Sequence, residues 1–92
     1  MKVNIRYCGH LKQAAGCPSE EFGREDCLSA QELIASVAEN HGEPLAGYLL
    51  DESGRLRATV LAFVNEEQVD WETARPLVDG DELVFMSAIA GG

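Results

Sequence analysis

The chain is poor in cations and has no long apolar run. Its 92 residues include seven Lys and Arg against 16 Asp and Glu, which gives a formal net charge of −9 at pH 7. Because phosphate binding depends on Lys and Arg, this shortage argues against nucleic acid or an anionic membrane as the partner. No segment approaches the ~20 apolar residues of a membrane-spanning helix, and the first residues lack an apolar signal core. The composition therefore predicts one small cytoplasmic domain whose acidic surface suits a partner with a basic groove.

Cysteine and histidine are also scarce, and their spacing is not that of a metal site. The three cysteines, Cys8, Cys17 and Cys27, form no Cys-x-x-Cys pair. The two histidines, His10 and His41, complete no recognisable zinc pattern with them. We therefore predict no metal site and interpret the cysteines as reduced thiols. A redox or persulfide role for Cys8 or Cys17 is the alternative.

The elements that the sequence does predict are short and alternate in type. Val3, Ile5 and Tyr7 alternate with polar residues, which is typical of a half-buried strand. Ser29, followed three positions later by Glu32, forms a capping box that predicts the start of the main helix. The other predicted elements are a helical turn within 9–16, a weak strand at 20–24, a short helix at 43–50, a central strand at 57–64 covered on both faces, an edge strand at 68–71 and a last strand at 82–86. This order predicts an α+β fold, a small mixed sheet with one main helix packed across it.

The most informative feature is the Gly91-Gly92 pair with which the sequence ends. Glycine has no Cβ, so such a segment fits a narrow active site, although it contributes little to folding. The turn at 79–81 and the apolar strand after it would anchor this segment to a rigid body. We therefore divide the chain into a folded body, 1–86, and a flexible C-terminal tail, 87–92. The alternative is an ordinary domain with an accidental Gly-Gly end.

Three segments carry a resemblance to a known family. Residues 7–16, YCGHLKQAAG, resemble the aromatic-x-x-x-Leu-x-x-x-x-Gly opening of the MoaD/ThiS family, and residues 63–69, FVNEEQV, resemble its Val-Asn-Gly/Asp-x-x-Val turn. The most specific match is residues 76–83, PLVDGDEL, whose Gly-Asp-Glu turn precedes the terminal Gly-Gly by a short distance. The resemblance covers nearly the whole chain and implies the β-grasp (ubiquitin-like) fold of sulfur carrier proteins.

The resemblance also implies the chemistry of the chain. An E1-like enzyme would adenylate the Gly92 carboxylate with ATP, and a sulfur donor would displace AMP to leave a Gly92 thiocarboxylate. Gly91 would accompany Gly92 into the active site. The sequence has no Walker-type loop and no Gly-x-Gly-x-x-Gly motif, so we expect the partner to bind ATP and this chain to bind no cofactor. The chain would act as a sulfur-donating carrier subunit with no independent active site.

Partner contacts are expected at Met86, Ser87, Ala88, Ile89 and Ala90. Met86 stands where molybdopterin synthase small subunits have an interface aromatic, and their Pro-Pro pair is missing here. The expected role is that of this small subunit in molybdenum cofactor biosynthesis, with the large subunit as sulfur acceptor. The alternatives are a sulfur carrier for cysteine or thiamin biosynthesis, a ubiquitin-like protein modifier, and an interaction module whose tail has no chemistry.

Other polar residues are assigned structural roles. His41 is placed at a helix C-terminus, where an imidazole suits the helix dipole. Asp79 and Asp81 are interpreted as turn residues, with a cation site as the alternative. Because successive side chains of a strand face opposite ways, we assign Phe85 to the core and Met86 to the partner.

Overall fold

The computed structural model describes residues 2–23, 29–72 and 76–87. Five strands and three helices lie in these ranges: β1 (Lys2–Tyr7), α1 (His10–Ala15), β2 (Ser19–Gly23), α2 (Ala30–His41), α3 (Leu45–Leu49), β3 (Val60–Val64), β4 (Glu67–Gln68) and β5 (Glu82–Ser87). The predicted tail positions 88–92 and Cys27 lie outside the described residues.

The strands form one mixed sheet in the order β2-β1-β5-β3-β4. β1 pairs in parallel with β5, and the other three pairings are antiparallel. The predicted mixed sheet is confirmed, and its first two strands form an antiparallel pair. The central strand is β5 rather than the predicted strand at 57–64, because the last strand inserts between β1 and β3. The C-terminal strand is therefore supported on both edges.

The prediction that β3 is covered on both faces was wrong. Val60, Ala62 and Val64 are buried, whereas Leu61 and Phe63 are only half-buried on the opposite face. The buried cluster joins the inward side chains of the strands to the helices, so the helical layer covers one face of the sheet. The strand also begins at Val60 instead of 57. Alternate side chains of its continuous apolar run therefore pack in the core, and the others lie on the opposite, half-buried face of the sheet.

The main helix, α2, begins where the capping box predicts. Ser29 Oγ accepts a hydrogen bond from Glu32 N (3.2 Å), and the Glu32 carboxylate accepts one from Ser29 N (3.2 Å). Leu33, Ile34 and Val37 are fully buried on one face of the helix, which packs it into the core. Neither α2 nor the two shorter helices of the described ranges is long and apolar enough to cross a membrane.

Candidate functional site

The C-terminal end of β5 is fixed by contacts with both neighbouring strands and by the packing of Phe85 in the core. Cys8 N donates a hydrogen bond to Phe85 O (3.0 Å), and Ser87 is in register with Val60 of β3. The Phe85 ring is fully buried and stacks on the Tyr7 ring, with the centroids 5.9 Å apart and the planes at 17°. β5 therefore includes Ser87, one residue beyond the predicted body, and provides a firm base for the residues that follow.

Phe85 and Met86 face opposite ways, as the alternation predicts. Phe85 is fully buried, whereas 40% of the surface of Met86 is exposed. In the antiparallel pairing with β3, Met86 lies opposite Leu61 and Val84 lies opposite Phe63, so these four side chains share the solvent-facing side of the sheet. We call them the outer-face patch: Leu61, Phe63, Val84 and Met86.

Sequence reasoning found only one member of the outer-face patch, Met86. The others were missed because the apolar run of β3 was interpreted as core on both faces. The alternation of apolar side chains in each strand indicates which of them share a face. Placing those of β3 beside those of β5 requires the register between the two strands. The other predicted site residues, Ala88, Ile89, Ala90, Gly91 and Gly92, lie outside the described part of the chain, so their roles stay predictions.

The opposite end of β5 is fixed by a hydrogen-bonded turn around Asp81. Asp81 Oδ1 accepts a hydrogen bond from Asn65 Nδ2 (2.7 Å), and its Oδ2 accepts one from Val78 N (2.9 Å). Asn65 Oδ1 in turn accepts from Glu82 N (3.0 Å). Asn65 itself has a φ of 49°, a left-handed conformation that Asn tolerates better than most residues. Two of the motifs singled out in the sequence therefore meet and set the register of β5 against the β3–β4 hairpin.

Replacing Asp81 by alanine should destabilise the fold by roughly 1.5–3 kcal/mol, because it removes a nearly buried carboxylate and leaves its donors without an acceptor. Asp79→Ala is the matched control. The Asp79 carboxylate is exposed and accepts one hydrogen bond, from Lys2 N (2.7 Å), so its loss should cost less than about 1 kcal/mol. Urea denaturation of the two variants measures the difference. Equal losses would show that the Asp81 network does not anchor the strand.

Comparisons with known proteins identify the family of the chain. The model of the ThiS family matches residues 5–92. The chain belongs to the ThiS family. This family comprises ubiquitin-like sulfur carriers of the MoaD/ThiS type, so the resemblance found in the sequence is confirmed. No curated protein matches the chain.

Solved structures show the same architecture. SAMP1 from Haloferax volcanii is 16% identical, with 100% of each chain covered and a TM-score of 0.86. A protein from Pyrococcus furiosus described as molybdopterin converting factor, subunit 1, is 25% identical over 97% of this chain and 99% of its own, with a TM-score of 0.78. The BexX/CysO complex from Amycolatopsis orientalis contains a chain that is 23% identical over 98% and 99%, with a TM-score of 0.70. The predicted β-grasp fold is confirmed.

In this ThiS-family chain, His41 joins a polar cluster beneath the sheet edge. Tyr7 Oη donates a hydrogen bond to Glu20 Oε2 (2.7 Å) and lies 3.3 Å from His41 Nε2. His41 Nε2 also contacts the Glu20 carboxylate. The pKa of Tyr7 is raised well above its usual range, mainly by burial and secondly by the Glu20 carboxylate. The cluster ties β1, β2 and the end of α2 together, which is a structural role.

The same carboxylate disfavours the thiolate form of Cys17. Cys17 Sγ lies 3.8 Å from Glu20 Oε2. Desolvation is the main cause that raises the pKa of the Cys17 thiol, and the negative charge of Glu20 is the second. Because the thiolate is the nucleophilic form, this environment disfavours the redox alternative at Cys17. Within the described ranges, no three His, Cys, Asp or Glu side chains are grouped so that they would hold a metal ion.

Proposed function

We propose that this ThiS-family chain is a sulfur carrier whose Gly92 carboxylate is adenylated and then converted to a thiocarboxylate. The observation that carries the proposal is the family match, which continues from residue 5 through Gly92. The base of the tail supports it, because β5 is the central strand and pairs with β1 as far as Phe85 and with β3 as far as Ser87.

The chemistry follows from the poor reactivity of a carboxylate. An α-carboxyl group with a pKa of about 3.5 is ionised at neutral pH and resists attack by a nucleophile. Attack of a Gly92 carboxylate oxygen on the α-phosphorus of ATP releases pyrophosphate and forms an acyl-adenylate. A hydrosulfide equivalent from a sulfur donor then attacks the acyl carbon, and AMP leaves. The product is a thiocarboxylate that passes its sulfur to an acceptor in a further enzyme.

The division of labour supports a carrier rather than a free-standing enzyme. The sequence has no phosphate-binding loop, so an E1-like adenylyltransferase would bind ATP. The chain would contribute the tail and a body that positions it. The outer-face patch suits docking, because a partner enzyme can bind this apolar surface of the body while the tail enters the active site of the enzyme.

Among the pathways, we propose the small subunit of molybdopterin synthase in molybdenum cofactor biosynthesis, acting in the cytoplasm with the large subunit as sulfur acceptor. The 25% identity to the Pyrococcus furiosus protein described as molybdopterin converting factor, subunit 1, supports this assignment. Carriers for cysteine or thiamin biosynthesis and a ubiquitin-like modifier share the same activation step and remain the alternatives to be tested.

Purification of the endogenous protein with its partners tests both levels of the proposal. Intact-mass measurement should reveal a fraction in which one oxygen is replaced by sulfur, and fragmentation should place the sulfur on Gly92. A molybdopterin synthase large subunit among the co-purified proteins would support the pathway, and a cysteine-forming or thiazole-forming enzyme in its place would contradict it. A protein with no sulfur-containing fraction, isolated from cells with active sulfur transfer, would contradict the carrier function itself.

A further inference from the structure

A groove opens on the helical side of the sheet beside the last described residue, Ser87. Its volume is about 290 Å³, and its lining includes His10, Tyr48, Arg57 and Ser87. Ser87 follows Phe85 at a distance of two residues and so shares the helical side of β5 with it. The outer-face patch lies on the other side of the sheet. The groove is therefore a second surface next to the point where the chain leaves β5.

Two aromatic rings form the apolar part of this groove. Tyr48 is 44% exposed although it is a large side chain. The His10 ring packs against it edge to face, with the centroids 5.1 Å apart and the planes at 85°. Tyr48 is therefore packed against a neighbouring ring and still partly exposed to solvent. Ordered, partly exposed tyrosines are frequent anchors of protein–protein contacts.

Arg57 supplies the charged part and is held in place by α3. Its Nε donates a hydrogen bond to Gly47 O (2.6 Å), and its backbone N donates one to Leu49 O (2.9 Å). Within 2–23, 29–72 and 76–87 its guanidinium forms no ion pair, and none of the residues lining the groove is acidic. The carboxylate of Glu43 lies nearby but accepts a hydrogen bond from Gly47 N (3.2 Å). The groove thus presents a held cation on a chain with a net charge of −9.

We propose that this groove docks an acidic element of the E1-like adenylating enzyme, a carboxylate side chain beside an apolar one. The carboxylate would bind the Arg57 guanidinium, whose remaining N–H groups match its two oxygens. The apolar side chain would pack on Tyr48. The inference rests on the proposed function, because an enzyme that adenylates Gly92 must bring its active site within reach of the five residues that follow Ser87. It adds a surface of opposite charge to the otherwise acidic body, which fixes the orientation in which the tail is presented.

Steady-state adenylation by the cognate E1-like enzyme tests the groove with two variants and two matched controls. Arg57→Glu and Tyr48→Ala should each raise the KM for the carrier roughly tenfold, with kcat nearly unchanged, because docking is weakened and the tail is intact. Lys2→Glu makes the same charge reversal, and Val78→Ala truncates another exposed large hydrophobic side chain. Both control positions lie at the far end of the β1–β5 pair, so KM should stay near the wild-type value.

A third variant and the salt dependence of KM complete the test. Arg57→Gln retains much of the side-chain length without the charge, and it replaces Arg57→Glu in the test if that variant does not fold. It should also raise the KM for the carrier. Added salt should raise the wild-type KM more than that of Arg57→Gln, since an ion pair is screened. Groove variants that match their controls would overturn the docking site and leave the carrier function standing. A wild-type chain that no E1-like enzyme adenylates would overturn the proposed function and this inference with it.

Discussion

Deletion of Gly92 should abolish ATP–pyrophosphate exchange by the cognate E1-like enzyme and leave the circular-dichroism spectrum of the chain unchanged. The reactive carboxylate would move back by one residue, about 3.3–3.6 Å along an extended chain. A displacement of this size is several times the positional tolerance of roughly 0.5 Å for a productive active-site geometry. The described helices and strands end at Ser87, and we expect them to fold as in the wild type when Gly92 is deleted. Exchange at the wild-type rate would show that Gly92 is not the reactive residue.

Gly91→Val provides the complementary test, because it keeps the carboxylate at its original distance. A β-branched side chain widens the segment and restricts its backbone, so entry into a narrow active site should fail. Gly91→Ala is the matched control, since it adds only a Cβ and should retain part of the activity. Loss of exchange in Gly91→Val with partial retention in Gly91→Ala would assign the defect to width. Full activity in both variants would contradict the need for a thin terminus.

The second large effect is a contrast between two neighbouring residues of β5. Phe85→Ala should cost roughly 3–5 kcal/mol of unfolding free energy, as large truncations in a packed core do. The ring is fully buried and stacks on Tyr7, so its removal leaves a cavity between the central strand and β1. Met86→Asp should change the stability far less, because the side chain is 40% exposed on the other face of the strand.

Partner binding should show the reverse order of effects. Met86→Asp introduces a charge into the outer-face patch and should weaken binding of the partner enzyme severely, whereas Met86→Leu keeps an apolar side chain and should bind nearly as the wild type does. Differential scanning calorimetry and titration calorimetry measure the two quantities separately. A Met86→Asp variant that binds normally would exclude the outer-face patch from docking.

Much of the local structure was predictable because its causes are local. The alternation of Val3, Ile5 and Tyr7 depends only on the two-residue period of a strand, and it matches the observed burial. The capping box of Ser29 and Glu32 lies within four residues of sequence and folds as predicted. The resemblance to the MoaD/ThiS family added the β-grasp topology, which local patterns do not specify.

The features that the sequence did not predict depend on contacts between distant segments. Asn65 and Asp81 are 16 positions apart, and their hydrogen bond forms because β3 and β5 are neighbours. The apolar run of β3 was interpreted as buried on both sides, since composition alone does not show that the helices cover only one face.

The sequence by itself thus determined the types of the elements, the faces of β1 and β5, and the family to which the chain belongs. Tertiary structure decided that β5 is the central strand, that Met86 joins β3 side chains in one outer-face patch, and that Tyr48 and Arg57 line one groove beside Ser87. The physical reason is that strand order, register and grooves arise when chain segments far apart in sequence bury apolar surface against one another, and no local propensity encodes which segments meet.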